Sequence, residues 1–280
     1  MITYRDMQLS DVDAGLNLCR AANWNQLARD WELFLHSSPG GCRVALSRSR
    51  VVGTVTTLRY DEAFSWIGMV LVDPNYRRRG IGIQLLNEAL IVLRNEETVK
   101  LDATPTGREV YLKLNFVDEY RISRMNATVD NSLLPASGAS PIDQADVDEI
   151  GKFDASIFGG DRRQLLGWLL NAAPQFAFLT KEKSNITGFC LGRNGYNFTH
   201  IGPIVANDAD TAIHLASAAL RNCHGKPAII DVSLIHEDWL AWLGSIGFSQ
   251  QRMFTRMYRG SNAAFTDPLR QFAITGPEFG

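Results

Sequence analysis

A short basic and glycine-rich segment is the part of this sequence best suited to chemistry. It follows an apolar run ending at Val72 and reads DPNYRRRGIG from Asp73 to Gly82. Glycines let a backbone approach a ligand closely, and a helix that begins here directs its first amides and its dipole at that ligand. Arg77, Arg78 and Arg79 add positive charge at the same end. Residues 77–82, which we call the arginine–glycine loop, are therefore predicted to bind a phosphate-containing ligand.

The spacing of the glycines differs from that of two common nucleotide-binding motifs. A dinucleotide fold requires G-x-G-x-x-G between strand and helix, and a P-loop requires G-K-[ST]. The chain has R-x-x-G-x-G instead. The alternative interpretation is a glycine-containing turn with a solvated basic cluster and no ligand. Comparison of the two halves of the chain, below, helps to decide between the two interpretations.

The elements around the loop alternate between strands and helices. Strands are predicted at 43–48, 51–59, 66–72, 100–103 and 117–125, and helices at 83–93 and 108–114. The first two strands form a hairpin around Arg48 and Ser49, and apolar residues at 83, 86, 90 and 93 give one helical face. This mixture predicts an α/β or α+β fold in which helices cover a central sheet.

The same pattern occurs twice. Landmarks recur 129 to 135 residues apart: Gly53 and Gly188, Ile67-Gly68 and Ile201-Gly202, Asp102 and Asp231, Phe116 and Phe248, Arg124-Met125 and Arg256-Met257. The second copy lacks the arginine–glycine loop and has acidic residues in its place. A loop needed only for folding would be present in both copies, so its presence in one favours a ligand role.

The repeat divides the chain into two lobes of similar fold, at 1–130 and 142–260. Residues 131–141 are rich in Ser, Pro, Ala and Gly and have no periodicity, which indicates a linker. The tail, 261–280, contains apolar residues that gain free energy by burial. They are Phe272, Ile274, Pro277 and Phe279. We expect the tail to fold back beside the site of the first lobe.

Composition narrows the class of protein. The 280 residues are 45% hydrophobic and 21% charged with a net charge of −2, so no global field attracts nucleic acid or an anionic membrane. No apolar run approaches the ~18 residues of a membrane span, and the N-terminus lacks a signal-peptide core, so a cytoplasmic protein is expected. The four cysteines are widely spaced and predict neither a zinc site nor a disulfide framework, and we expect no bound metal.

Two motifs resemble those of a known family. The run VLVDPNYRRRGIGIQLL at 70–86 resembles motif A of the GCN5-related N-acetyltransferases (GNAT), whose signature is [QR]-x-x-G-x-[GA], and YLKLNF at 111–116 resembles their motif B. The resemblance covers about residues 1 to 128, and the second lobe looks like a degenerate copy. It implies a tandem GNAT fold with a mixed, mostly antiparallel sheet in each lobe. It also implies transfer of an acetyl group from acetyl-CoA to a primary amine.

The resemblance assigns roles to residues of the first lobe. The expected cofactor-binding residues are Val70, Leu71 and Val72 along the pantetheine arm, with Arg77, Arg78, Arg79, Gly80, Ile81, Gly82 and Ile83 at the pyrophosphate. Tyr111 is expected to protonate the departing thiolate. The chain departs from the family pattern at three positions. Val99 lies near the place where many members have a carboxylate that acts as the general base. Thr104 stands in place of Asn, and Asn115 in place of Gly.

The resemblance therefore does not assign the general base or the residues that bind the acceptor. An alkyl amine has a pKa of about 10.4, so a base is expected. Candidate bases are Asp61, Glu62, Asp102 and Glu278, and Asp102 recurs as Asp231, which favours a structural role for it. Candidate acceptor-binding residues are Trp24, Asn25, Asp30 and Glu278, although tryptophans at this spacing commonly belong to a core.

Direct transfer in a ternary complex is predicted, because no cysteine or serine lies beside an evident activating base in the sequence. The expected partner is a small-molecule amine, not nucleic acid or a membrane, and the expected assembly is a monomer or homodimer. An acyl-CoA-sensing or interaction protein without catalysis is the alternative. Nucleic-acid binding through Arg77 to Arg79 is disfavoured, since no aromatic stacking platform accompanies the cluster.

Overall fold

Two similar series of strands and helices make up the protein in this computed structural model, which describes residues 1–261 and 266–280. The strands are β1 Ile2–Asp6, β2 Arg43–Ser47, β3 Arg50–Tyr60, β4 Phe64–Val72, β5 Thr98–Ala103, β6 Val117–Thr128, β7 Ser140–Pro141, β8 Phe178–Glu182, β9 Asn185–Arg193, β10 Thr199–Ala206, β11 Pro227–Ser233, β12 Ser249–Gly260 and β13 Gln271–Ala273. The helices are α1 Val12–Ala21, α2 Ala28–Ser37, α3 Ile81–Val92, α4 Pro105–Tyr111, α5 Val147–Phe158, α6 Arg163–Ala172, α7 Ala209–Arg221 and α8 Glu237–Ser245.

All strands belong to one continuous sheet. Its order is β1-β2-β3-β4-β5-β12-β6-β11-β10-β9-β8-β7, and β13 pairs with β10. Neighbouring strands are antiparallel except β4 with β5 and β10 with β11, which are parallel. The prediction of a mixed, mostly antiparallel sheet flanked by helices is confirmed.

The last strands of the two halves are exchanged. β12, from the second half, lies between β5 and β6 of the first, and β6 lies between β12 and β11. The exchange sets Arg124 opposite Asp231 and Arg256 opposite Asp102, and each guanidinium binds both oxygens of its carboxylate. Because these residues are equivalent in the sequence repeat, the exchange is symmetrical. The divisions at 130 and 142 therefore separate two stretches of chain within one shared sheet, and residues 117–125 pair with β11 and β12 of the second half instead of with β5 of the first.

Helices cover both faces of the sheet. One face carries α1, α2, α5 and α6, whose side chains form a single core; examples are Trp31, Phe34, Phe158 and Leu169. On the other face α3 and α4 pack against the first half, and α7 and α8 against the second. The cleft described below crosses the sheet between these two layers.

The segments predicted as linker and tail both pack against the rest of the protein. Within 131–141, Leu134 is buried and the carbonyls of Leu134 and Pro135 accept hydrogen bonds from Arg221, so this stretch is held more firmly than its composition indicated. In the tail, residues 262–265 lie outside the described residues. The remainder forms β13 and a terminal turn in which Phe279 is fully buried.

The described ranges contain neither a membrane-spanning helix nor a cluster of metal-ligating side chains. No helix within 1–261 and 266–280 is both long and apolar enough to cross a bilayer. In the same ranges, no three His, Cys, Asp or Glu side chains are grouped so as to hold a metal ion.

Candidate active site

A cleft opens where β4 and β5 separate. The two parallel strands pair only at Ser65–Val99 and Trp66–Lys100, after which β5 continues alongside β12. β4 also changes register against β3 near Met69, which has a positive φ of 52°. The gap between the strands belongs to a cleft of about 720 Å³, lined on one side by Val70, Leu71 and Val72.

The arginine–glycine loop forms one end of this cleft. Gly80 adopts a left-handed conformation (φ 77°) as the N-cap of α3, and the first helical hydrogen bond runs from Gln84 N to Gly80 O. The amides of Ile81, Gly82 and Ile83 therefore have no helical partner. A Cβ at Gly80 would meet no atom within 4 Å, and one at Gly82 would lie 3.7 Å from a Val72 methyl. This open cradle of amides fits an anion such as a pyrophosphate.

The three arginines of the loop differ in position. Arg77 and Arg78 line the cleft, and Arg78 has a positive φ of 61°. Arg79 does not line it: its guanidinium lies 5.1 Å from the Tyr76 ring centre and donates to Asn75 O. These contacts favour a structural role for Arg79 in the turn over the predicted contact with a ligand.

Tyr111 lies at the end of α4 with its side chain on the cleft. A Cβ at Gly107 would come within 3.1 Å of the Tyr111 ring, so glycine permits this close packing. Burial raises the pKa of Tyr111 to about 12, which keeps the phenol protonated at neutral pH. Thr104, the departure from the family pattern, caps α4 by accepting a 3.1 Å hydrogen bond from Gly107 N.

The loop between α1 and α2 forms the other end of the cleft. Trp24, Asn25 and Gln26 line it. The Asn25 side chain, however, accepts hydrogen bonds from the amides of Asn197 and Phe198 and donates to Phe198 O, at 2.8 to 3.0 Å. Its polar atoms join the two halves of the chain, which favours a structural role for Asn25 over the predicted role in acceptor binding.

Glu278 reaches the same end from the tail. Its Oε1 accepts hydrogen bonds from Gln26 Nε2, at 2.7 Å, and from Arg193. Although burial alone would raise the pKa of Glu278, Arg193 and His200 outweigh it and hold the pKa below its usual range. Asp30 does not line the cleft, since it is buried behind the wall and bonded to Arg193 at 3.0 Å. Its role is therefore to hold Arg193 in place.

Two acceptor atoms at this end lack partners. Gln26 is 5% exposed, and its Oε1 is buried without a hydrogen bond because Nε2 faces Glu278. Glu278 Oε2 also makes no hydrogen bond to the described residues, whereas Oε1 makes two. Together they could accept the N–H groups of a bound amine.

The other candidate bases are poorly placed. Asp61 and Glu62 are exposed and do not line the cleft, and Asp61 accepts a hydrogen bond from Asp161 N. Burial raises the pKa of Asp102, yet its side chain is fully buried and Arg256 binds both of its oxygens at 2.9 Å. Of the four proposed residues, Glu278 lines the cleft and has a carboxylate oxygen without a hydrogen-bond partner among the described residues.

Comparison with known proteins identifies the family. Residues 13–116 match a family model described as "Acetyltransferase (GNAT) family", and residues 150–273 match one described as "Acetyltransferase (GNAT) domain". The chain belongs to the GNAT family, with two GNAT domains in tandem. The predicted family and its tandem arrangement are thereby confirmed, and an acyltransferase is supported by related proteins.

Two curated relatives and one solved structure extend this result. Holothin acyltransferase of Pseudoalteromonas sp. (strain SANK 73390) is 25% identical over 86% of this chain and 82% of its own. The uncharacterized N-acetyltransferase YitH of Bacillus subtilis (strain 168) is 25% identical over 85% of this chain and 84% of its own. A putative acetyltransferase from Pyrococcus horikoshii shares the fold with a TM-score of 0.85, at 24% identity over 100% of this chain and 96% of that one.

The second GNAT domain has the same strand separation but a filled gap. β10 and β11 pair only at Thr199–Ala228 and His200–Ile229, as β4 and β5 do. Here β13 pairs with β10 in the gap, and Ile274 N donates to Asp231 O at 3.0 Å. Asp208 caps α7, so a carboxylate stands where the first GNAT domain has Gly80.

Several residues that line the cleft belong to no motif of the sequence. Arg124, Arg252 and Phe254 reach the cleft from the exchanged strands, and Gln26 from the α1–α2 loop. Arg124 was visible only as a landmark of the GNAT repeat, and Arg252 carried no local signal, whereas Gln26 directly follows the predicted Trp24 and Asn25. Finding them requires knowledge of which strand lies beside β5.

Proposed function

We propose that the first GNAT domain transfers an acetyl group from acetyl-CoA to the primary amine of a small molecule. The observation that carries this proposal is the continuity of the cleft. It runs from the arginine–glycine loop, past Tyr111, to the unpartnered acceptor atoms of Gln26 and Glu278. An anion site, a proton donor and an amine site thus lie along one channel.

The chain's own groups are suited to hold acetyl-CoA. The free edge of β4 at Val70 to Val72 offers backbone groups to an amide-containing arm, and the amides of 81–83 offer donors to a pyrophosphate. Arg77 and Arg78 add charge at this end. Acetyl-CoA supplies the acyl group as a thioester.

The protonation states of Tyr111 and Glu278 suit different roles in the transfer. The Tyr111 phenol is protonated at neutral pH and can donate its proton to the departing thiolate, and it regains a proton from the attacking nitrogen as that nitrogen becomes an amide. Glu278, with its lowered pKa, is ionised at neutral pH and is a weak base toward an amine of pKa about 10.4. Glu278 and Gln26 therefore orient the amine, which must enter in its neutral form. We expect kcat/KM to rise with pH toward the pKa of the amine.

The state of the cysteines supports direct transfer in a ternary complex. Cys19, Cys42, Cys190 and Cys223 are all buried, and burial raises the pKa of each thiol. A thiol in this state is a poor nucleophile. We further propose that the second domain is degenerate toward CoA, because β13 occupies its strand gap.

Calorimetry with acetyl-CoA and an assay of CoA release test the proposal. We expect one acetyl-CoA per chain and turnover with members of a primary-amine panel that includes holothin, the molecule in the relative's name. Two acetyl-CoA per chain would contradict the assignment of the second domain, and parallel lines in two-substrate kinetics would contradict direct transfer. Tight binding without turnover of any amine would favour an acyl-CoA sensor.

A further inference from the structure

Two arginines face each other on the shared strands beside the cleft. Arg252 on β12 lies opposite Arg124 on β6, and both line the cleft. Arg124 packs over the Phe254 ring, with its guanidinium carbon 5.2 Å from the ring centre. None of these residues has a role in the acetyl-CoA site proposed above.

Arg252 carries a charge without a partner. Among the described residues it has no ion pair or side-chain hydrogen bond, and burial and the nearby Arg124 lower its pKa. Arg124 uses Nε and Nη2 to bind Asp231 at 2.7 Å, and its Nη1 has no hydrogen bond to the residues that the structure describes. Asp231 neutralises Arg124, so one net positive charge remains in the group formed by Arg124, Arg252 and Asp231, and an anion in the cleft would balance it.

The other charges on this part of the wall are already balanced. Arg256 binds both oxygens of Asp102, and Arg193 binds Glu278. Asp231, which balances Arg124, forms no ion pair with Arg252. One uncompensated positive charge therefore remains at Arg252.

The arginine pair faces away from the arginine–glycine loop. Val99, Leu101 and Ala103 of β5 pack with α3 and α4, so Asp102, between the last two, faces the other side of the sheet. Arg256 binds Asp102 on that side, and Arg252 lies four residues earlier on the same strand without a register shift between them. The anion that Arg252 would bind is thus separated by the sheet from the pyrophosphate cradle at α3.

We propose that Arg252, together with Nη1 of Arg124, binds a carboxylate carried by the acceptor amine. The inference rests on the proposed function and names its substrate class, an amine with a carboxylate on the same molecule. A single uncompensated charge matches a monoanion, and the planar guanidinium matches a carboxylate in two-point hydrogen bonding. Gln26 and Glu278 then bind the amine end of the molecule.

The test compares amines that differ only in the anion. The probes are ω-amino carboxylates of two to six carbons and their carboxamides, assayed by CoA release with wild type, Arg252→Gln and Arg121→Gln. Arg121 is an exposed arginine on β6 and serves as the matched control. We expect wild type to favour the best carboxylate over its carboxamide by tenfold or more in kcat/KM. Arg252→Gln should remove this preference, with a loss of about 10- to 100-fold for the carboxylate alone.

Two binding measurements make the result independent of turnover. Acetyl-CoA should bind Arg252→Gln as it binds wild type, and the best amino carboxylate should bind CoA-saturated wild type but not CoA-saturated Arg252→Gln. An equal loss for carboxylate and carboxamide, an unchanged preference, or weaker acetyl-CoA binding in the variant would overturn the proposal. If no amine is turned over but carboxylate binding still depends on Arg252, the proposed catalysis fails and this subsite stands. If neither carboxylate binding nor preference exists, the subsite is refuted.

Discussion

At the scale of single residues, Tyr111 offers the sharpest test of chemistry. Its phenol lines the cleft without a hydrogen bond to the described residues, and its pKa is raised to about 12. Tyr111→Phe removes the donated proton and keeps the ring packed on Gly107, so kcat should fall about 100-fold while acetyl-CoA affinity changes less than about twofold. Tyr76→Phe, in the same cleft, is the control and should retain activity. Unchanged turnover in Tyr111→Phe would make Tyr111 a packing residue.

The sequence could reveal residues with local signatures and not those that depend on distant partners. The arginine–glycine loop and Tyr111 lie within short motifs, so they were found. Asn25 lines the cleft and Asp30 lies buried behind its wall, and their hydrogen bonds to Phe198 and Arg193 come from the other half of the protein. A single sequence contains no local signal for such contacts, and the predicted roles of Asn25 and Asp30 differ from the observed geometry for that reason.

At the scale of elements, the N-terminus of α3 should decide acetyl-CoA binding. Gly82→Glu places a carboxylate among the unpartnered amides, and the nearest atom to its Cβ is 3.7 Å away, so the fold has room for the change. Like charge should then lower acetyl-CoA affinity by about 100-fold or more, measured by calorimetry. Gly167→Glu, on α6 where a Cβ meets no atom within 4 Å, is the matched control. Equal affinities for the two variants would refute the pyrophosphate site.

The elements themselves were largely accessible to pattern reasoning. The hairpin of β2 and β3, with its turn at Arg48 and Ser49, and the helix α3 followed from alternation and helical periodicity, with ends within two residues of those observed. The pairing of β5 with β12 could not follow in this way. A strand that pairs within its own half and a strand exchanged with the other half have the same alternation of polar and apolar residues. Which of the two forms is set by contacts between residues far apart in sequence.

At the scale of the whole molecule, the exchanged strands join the halves into one structure. The ion pairs Arg124–Asp231 and Arg256–Asp102 each link a residue of one half to a residue of the other. The tail adds further links, since Trp66 Nε1 donates to Pro277 O at 3.0 Å and a Cβ at Gly68 would lie 2.8 Å from Glu278 O. The repeat in the sequence implies two units, whereas the sheet implies that neither is complete alone.

This interdependence can be tested by cutting the chain between Gly138 and Ala139. Gly138 is exposed and a Cβ there would meet no atom within 4 Å, so a break should be tolerated. Residues 1–138 alone would expose the edges of β5 and β6 where β12 belongs, and unpaired edges favour aggregation. We expect this fragment to show no cooperative thermal unfolding and no acetyl-CoA binding. Co-expression with 139–280 should give a 1:1 complex by light scattering, with one acetyl-CoA bound as in the intact chain. A fragment 1–138 that melts cooperatively and binds acetyl-CoA would show that the first domain is self-sufficient, and the shared strands would then contribute the acceptor site without being required for the fold.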